Sequence, residues 1–287
     1  MNRADGSTRP PAPRLGVLLL LPLLLAVGCS GQGDAPAAQH PSAGTSHGTT
    51  ATPEPPAVVT PVVGSCHELT LTEAKDPVDA GSPVPCRRAH TSVTVKVGQL
   101  SRVVDGHLLA VDSQTVRSQI TKACPSEPGS YLGGDTTGRR LSRFEVVWFS
   151  PSLAQADAGA NWYRCDVVAL RSEGKLVPLP ARVKGILSRG GALDRFGTCG
   201  TSAPDRPGFA RVVCSERHSW RAVDVVDLPA SAHYLAKDVA ATGDAACKAV
   251  AAGRANGALK YTWSFEWPTR AQWASGQRYG YCWVPEA

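Results

Sequence analysis

Isoleucine and methionine are nearly missing from this chain, with two Ile (Ile120, Ile186) and one Met in 287 residues, and aromatics reach only 6%. Charged residues are sparse at 19% and follow no helical period, which excludes a coiled coil. No Gly triplet repeat is present, which excludes a collagen, and no set of long apolar runs, which excludes a polytopic membrane protein. Gly-x-Ser-x-Gly, His-Glu-x-x-His and a phosphate-cradling glycine loop are all lacking, so no common local signature of catalysis is carried. What is abundant is Gly (28), Pro (23), Ala, Val and Arg, with Arg over Lys at 22 to 8 and an odd count of nine cysteines. The length allows two small domains plus tails.

The amino terminus has a compartment written into it. Residues 1–14 carry Arg3, Arg9 and Arg14 against Asp5, and residues 15–28 form an uncharged apolar run with Pro22 at its middle, ending at Cys29. Fourteen residues span about 21 Å as a helix, short of a bilayer core of about 30 Å, so the run reads as a secretion signal. Ala26-Val27-Gly28-Cys29 resembles the lipobox of bacterial lipoproteins, with Ala26 in place of the commoner Leu. That resemblance implies a signal peptide over 1–28, acylation of Cys29, and membrane lipid as a partner through two acyl chains. The expected location is the extracytoplasmic face of the cell membrane. Without residues 1–28 the chain has 27 basic and 23 acidic residues, a net of +4, and no nucleic-acid partner is expected.

Residues 29–64 are almost entirely Ser, Thr, Pro, Ala, Gly, Gln and Val, without Lys or Arg, and read as a disordered linker. His40 and His47 within it are expected to be solvated rather than metal-bound. Eight cysteines remain, at 66, 86, 124 and 165 and then at 199, 214, 247 and 282. Cys86-Arg-Arg-Ala-His90 matches Cys214-Ser-Glu-Arg-His218. Pro151, Ala154, Gln155, Gly159 and Cys165 match Pro268, Ala271, Gln272, Gly276 and Cys282 at identical spacing. This predicts two tandem copies of one domain, 65–178 and 195–287, joined by a linker over 179–194.

The expected class is α+β: short antiparallel strands plus a helix in each small, disulfide-stapled copy. Strands are predicted over Ser92–Val97 and Arg221–Val226, over Arg143–Phe149 and Leu259–Trp267, and as a last short strand holding Cys165 or Cys282. The helix before Cys124 takes Asp112 as its cap, with Val116 and Ile120 on one face; its counterpart starts near Ser231 and carries Leu235 and Val239.

If the copies pair their cysteines alike, three disulfide schemes remain, and the one that pins neighbouring elements is Cys66–Cys86, Cys124–Cys165, Cys199–Cys214 and Cys247–Cys282. Zinc on the Cys-x-x-x-His pairs is the competing reading, but these lack the Cys-x2-Cys half of most structural zinc sites, so no metal and no cofactor are expected. A thiol nucleophile with His90 or His218 as base requires a free thiol in an oxidising compartment. His90 and His218 are expected to bond to backbone beside the bridges. No pair of carboxylates recurs in both copies, so no catalytic residue is assigned. Alternating aromatics in Tyr261, Trp263, Phe265 and Trp267 give one aromatic strand face, and Trp267, Trp273 and Trp283 have no aromatic counterpart in the first copy. These three are the candidate contacts for a protein or glycan. From residue 181 on, 14 Lys and Arg face 9 acids, a balance suited to anionic wall polymers or lipid head groups.

Val84-Pro85-Cys86 to His90 with Pro151 to Cys165, and Val212-Val213-Cys214 to His218 with Pro268 to Cys282, resemble the septum formation domain of actinobacterial envelope lipoproteins. Ala89 and Arg217 stand where that family tends to have Pro. The resemblance implies a membrane-attached envelope protein linked to septum formation or cell division, and brings no catalytic residue or ligand. The expectation is a non-enzymatic binding or scaffold module whose partner is a cell-wall polymer or division protein. The alternatives are an envelope hydrolase acting on peptidoglycan or peptides, and a structural spacer without a ligand.

Overall fold

A computed structural model of the chain describes residues 58–78, 81–124, 129–172 and 174–286. The expected signal peptide over 1–28, Cys29, His40, His47 and most of the expected linker lie outside the described residues. No helix among the described residues is long and apolar enough to cross a membrane.

The chain is mixed α+β with largely antiparallel sheets and four disulfides. In order it runs β1 (Cys66–His67), α1 (Leu71–Lys75), β2 (Ser92–Gln99), β3 (Val103–Val104), β4 (His107–Leu108), α2 (Gln114–Ala123), α3 (Thr136–Leu141), β5 (Phe144–Phe149), α4 (Leu153–Asp157), β6 (Trp162–Ser172) and β7 (Lys175–Leu176). It continues through α5 (Ala192–Phe196), β8 (Thr198–Gly200), β9 (Arg211–Val213), β10 (Trp220–Asp227), α6 (Lys237–Arg254), β11 (Ser264–Glu266), α7 (Arg270–Ala274) and β12 (Tyr279–Pro285). One five-stranded sheet has the order β1-β2-β6-β5, with β7 against the end of β6; the other five-stranded sheet has β9-β8-β10-β12-β11, and β3 and β4 pair as a separate two-stranded sheet.

The two sheets keep the same register at corresponding cysteines. Cys66 faces Val93 and Cys199 faces Arg221, each seven residues beyond the next cysteine of its half. Cys66 bridges Val84 while Cys199 pairs with Val212, and Trp148 faces Cys165 as Phe265 faces Cys282. A bulge interrupts β2 between Thr94 and Lys96, and β10 between Ala222 and Asp224.

Strand β6 is the centre of the first half. Its even-numbered residues Trp162, Arg164, Asp166 and Val168 share one face, where Trp162 and Val168 pack with Leu69, Ala74 and Phe149. Its odd-numbered residues face the other way. Cys165 meets α2 through Val116 and Ile120, and Val167 and Ala169 enter a second core. That second core is shared between the halves, because Phe196 and Val213 pack in it beside Val93, Phe144 and Val167. In return Leu141 of α3 packs with Ala222, Tyr281 and Trp283.

Several elements depart from the sequence expectation. The 179–194 stretch is not a bare linker: Leu179, Val183 and Ile186 are buried in the shared core. Ser113 rather than Asp112 caps α2, its hydroxyl accepting from the Val116 amide. Helix α6 begins at Lys237 because Leu235 takes a left-handed φ of 58°, which ends any helix begun upstream. The strand expected over 259–267 shrinks to Ser264–Glu266, since Trp263 packs on α6 instead, its Nε1 donating to Asp244 Oδ1 at 3.1 Å. The strand holding Cys165 is not short; at 11 residues it is the longest in the fold.

Candidate functional site

The cysteines pair as Cys66–Cys86, Cys124–Cys165, Cys199–Cys214 and Cys247–Cys282. Each bridge fastens a strand to a neighbouring loop or helix, and the loop-entropy model gives about 3 to 4 kcal/mol apiece. Every described cysteine is therefore a disulfide sulfur. Cys199, His218 and Glu286 do converge, but Cys199 offers no thiolate to a metal or to nucleophilic attack.

The two motif histidines are placed alike. His90 is buried with Nδ1 2.8 Å from the Arg88 carbonyl, and His218 has Nδ1 2.6 Å from the Glu216 carbonyl. A ring nitrogen facing a carbonyl carries the proton, so each histidine ties down the turn beside its bridge. The other nitrogen of His218 lies 3.3 Å from Glu286 Oε2, and Glu286 also receives the Arg221 guanidinium. This cluster holds the chain end against β10. The Arg221 hydrogen bond is the largest cause that holds the Glu286 carboxyl below the usual glutamate range, with His218 adding to it.

Pro-x-x-Ala-Gln proves to be helix punctuation. Ser152 accepts from the Gln155 amide while the Gln155 side chain accepts from the Ser152 amide, and Thr269 and Gln272 repeat this capping box on α7. Each helix ends in a Schellman turn, with the amides of Ala160 and Gln277 bonding back to the carbonyls of Gln155 and Gln272 at 2.9 Å. Gly159 and Gly276 take the required positive φ, 100° and 98°. Pro151 and Pro268 stand just before the caps. The signal was in the sequence as Ser/Thr-x-x-Gln followed by Gly, so these residues are structural.

The three tryptophans do not form one surface. Trp283 is fully buried, with Nε1 donating to Glu266 at 3.0 Å, which removes it as a contact residue: alternation along β12 turns it into the core with Tyr281. Trp267 and Trp273 are half-buried and stacked on each other at 5.5 Å, with Tyr234 edge-on to both. Arg278 covers Trp273 at 4.0 Å and Arg270 covers Tyr234 at 4.7 Å. Much of this aromatic surface is thus spent within the protein.

A cleft of about 580 Å³ opens between the halves, walled by β5 on one side and by β9, β12 and the α7–β12 turn on the other. Arg139, Arg140, Arg143, Arg211 and Arg278 line it, with Gln272 and Gly276 of the second motif at its edge. Arg211 pairs with Glu266 at 2.8 Å and Arg140 with Asp227 at 2.6 Å. Burial pulls the Arg143 guanidinium below its usual range, with Glu145 opposing. Burial also raises the Tyr281 hydroxyl in the cleft wall, whose OH donates to the Arg140 carbonyl. No sequence motif marked these arginines, because they come from three separate stretches, 139–143, 211 and 278, that only the packing of the halves brings together.

A family model described as "Septum formation" matches residues 63–282. Searches of curated proteins and of solved structures return no match.

Proposed function

Since the chain belongs to the septum formation family, with a role connected to septum formation and cell division, we propose that it acts there as a lipid-anchored, non-enzymatic binding or scaffold protein. The observation that carries this reading is the family match, which spans both cysteine quartets and nearly all of the described fold. Anchoring through Cys29 is supported by the basic, apolar, Cys order of residues 1–29, and by four disulfides, which persist in an oxidising compartment outside the cytoplasm. Two copies of one domain, 65–178 and 195–287, are supported by matched strand order, register, bulges, histidine bonds and capping boxes. A scaffold role agrees with motif residues that are consumed in bridges, caps and turns. The partner is a wall polymer or a division protein.

The test is microscopy and fractionation of cells expressing the tagged chain. The protein should sit in the membrane fraction and gather at division sites, and Cys29→Ala should move it out of that fraction. A Cys29→Ala protein as firmly membrane-bound as the parent sinks the anchor. Turnover of isolated peptidoglycan by the purified chain, abolished by one acid or histidine substitution, sinks the non-enzymatic reading.

A further inference from the structure

The cleft between the halves carries a charge its own residues do not match. Arg140 and Arg211 have carboxylate partners in Asp227 and Glu266. Arg139, Arg143 and Arg278 do not: Arg139 bonds to Gly134 O and Thr136 Oγ1, Arg143 to Leu170 O through Nε, and Arg278 to Trp273 O and Gln277 O through one terminal nitrogen. Glu145 is the one acid among the cleft-lining residues, and it acts on Arg143 through its charge. Three such guanidiniums against one such carboxylate leave two positive charges facing the cleft.

The way Arg278 is held leaves donors usable. It lies over the Trp273 ring at 4.0 Å, while Arg140 and Arg211, whose edges meet Asp227 and Glu266, lie over Tyr279 and Tyr281 at 4.3 and 4.8 Å. Stacking occupies the flat face of a guanidinium and leaves its in-plane N–H edge for an oxyanion. Arg143 comes between α3 and β5 from a backbone fixed by its amide bond to the Phe196 carbonyl at 2.7 Å, so its position is set by the junction of the halves. Low-dielectric walls focus the field of these charges on the space between them.

We propose that this cleft binds a phosphate group, with Arg143 and Arg278 as its principal ligands. Two unmatched charges suit a dianion better than a single carboxylate, and arginine forks match phosphate oxygens in pairs. The phosphate is a free ion or a monoester, carried on a polyol or on a diacylglycerol lipid; the dianion seen by the arginines is the same. The inference stands on the cleft alone and needs neither the anchor nor the septal location.

Isothermal titration of the purified full chain in non-ionic detergent, at constant chloride concentration, tests it. The probes are inorganic phosphate, glycerol 3-phosphate, dihexanoylphosphatidic acid and acetate, at about pH 8. Saturable binding of at least one phosphate probe is expected, with acetate about tenfold weaker or more, and Arg143→Gln and Arg278→Gln each lowering affinity by about tenfold. The tightest phosphate probe identifies the source: inorganic phosphate for a free ion, glycerol 3-phosphate for a polyol ester, the short-chain lipid for a diacylglycerol lipid. Arg278→Gln carries the test where Arg143→Gln disturbs folding, as read from its thermal midpoint. No saturable phosphate binding, acetate bound as tightly as phosphate, or unchanged affinity in a folded variant overturns the proposal. Any of these with septal localisation intact leaves the family role standing.

Discussion

Arg164 and Asp166 sit two positions apart on one buried face of β6, and their chemistry explains why that strand is hard to read. Arg164 Nε lies 3.3 Å from Asp166 Oδ2, Ser92 donates to the same oxygen at 2.8 Å, and the guanidinium covers the Phe149 ring at 4.5 Å. A sequence reader sees two charges interrupting an apolar run and shortens the strand. The fold instead buries both as a pair, and the valines that follow complete 11 residues of strand. Burial is the main influence on the Asp166 carboxyl and pushes it up, while Arg164 and Ser92 pull it down. Asp166→Ala breaks a buried pair and should cost about 3 to 5 kcal/mol in urea unfolding with the disulfides intact. A loss below about 1 kcal/mol would mean that the pair contributes little. The tryptophans carry the same lesson: Trp283 has no aromatic counterpart in the first half, yet it lies in the core, so asymmetry between repeats did not signal exposure.

Among the elements, those defined by local chemistry were legible and those defined by distant packing were not. Strands β2 and β10 follow their cysteines with valine-rich runs, and they form within two residues of the expected bounds. Helix α6 starts late because the left-handed Leu235 overrides apolar periodicity, and β11 is short because Trp263 is held on α6. The pairing of β12 with β10 ends in the cluster of His218, Arg221 and Glu286, and this contact depends on charge. A glutamate whose folded-state pKa is depressed adds stability that is complete above the ordinary glutamate range, near pH 4, and is lost as pH falls through the depressed value. Amide protection at the end of β12, taken as exchange relative to the intrinsic rate at each pH, should therefore fall on acidification below about pH 4. Glu286→Gln should flatten that dependence, and an unchanged acid response in the variant would place the proton elsewhere.

For the molecule as a whole, the sequence divides where the structure joins. Composition and repeats suggested two small domains on a string, but the apolar residues of 179–194 and Phe196 close a core that uses both halves. That arrangement was not visible in the sequence, since nothing local marks a side chain as packing against the other half. The Phe144 and Phe196 rings meet at 4.9 Å, so Phe196→Ala should cost about 3 to 5 kcal/mol. In calorimetry the wild type should unfold in one transition, and the variant's whole transition should move down. Two transitions, only one of them shifted, would restore independent domains. The arginine cleft belongs to this scale as well, because no single half owns its lining.

A receptor site whose two walls grow from one shared core is built before its guest arrives. Closing domains around a ligand consumes binding energy in ordering them, whereas walls already fixed by Phe196, Val213 and Leu141 lose little freedom on contact. Recognition there would be quick, sensitive to salt, and strict about the width of what enters.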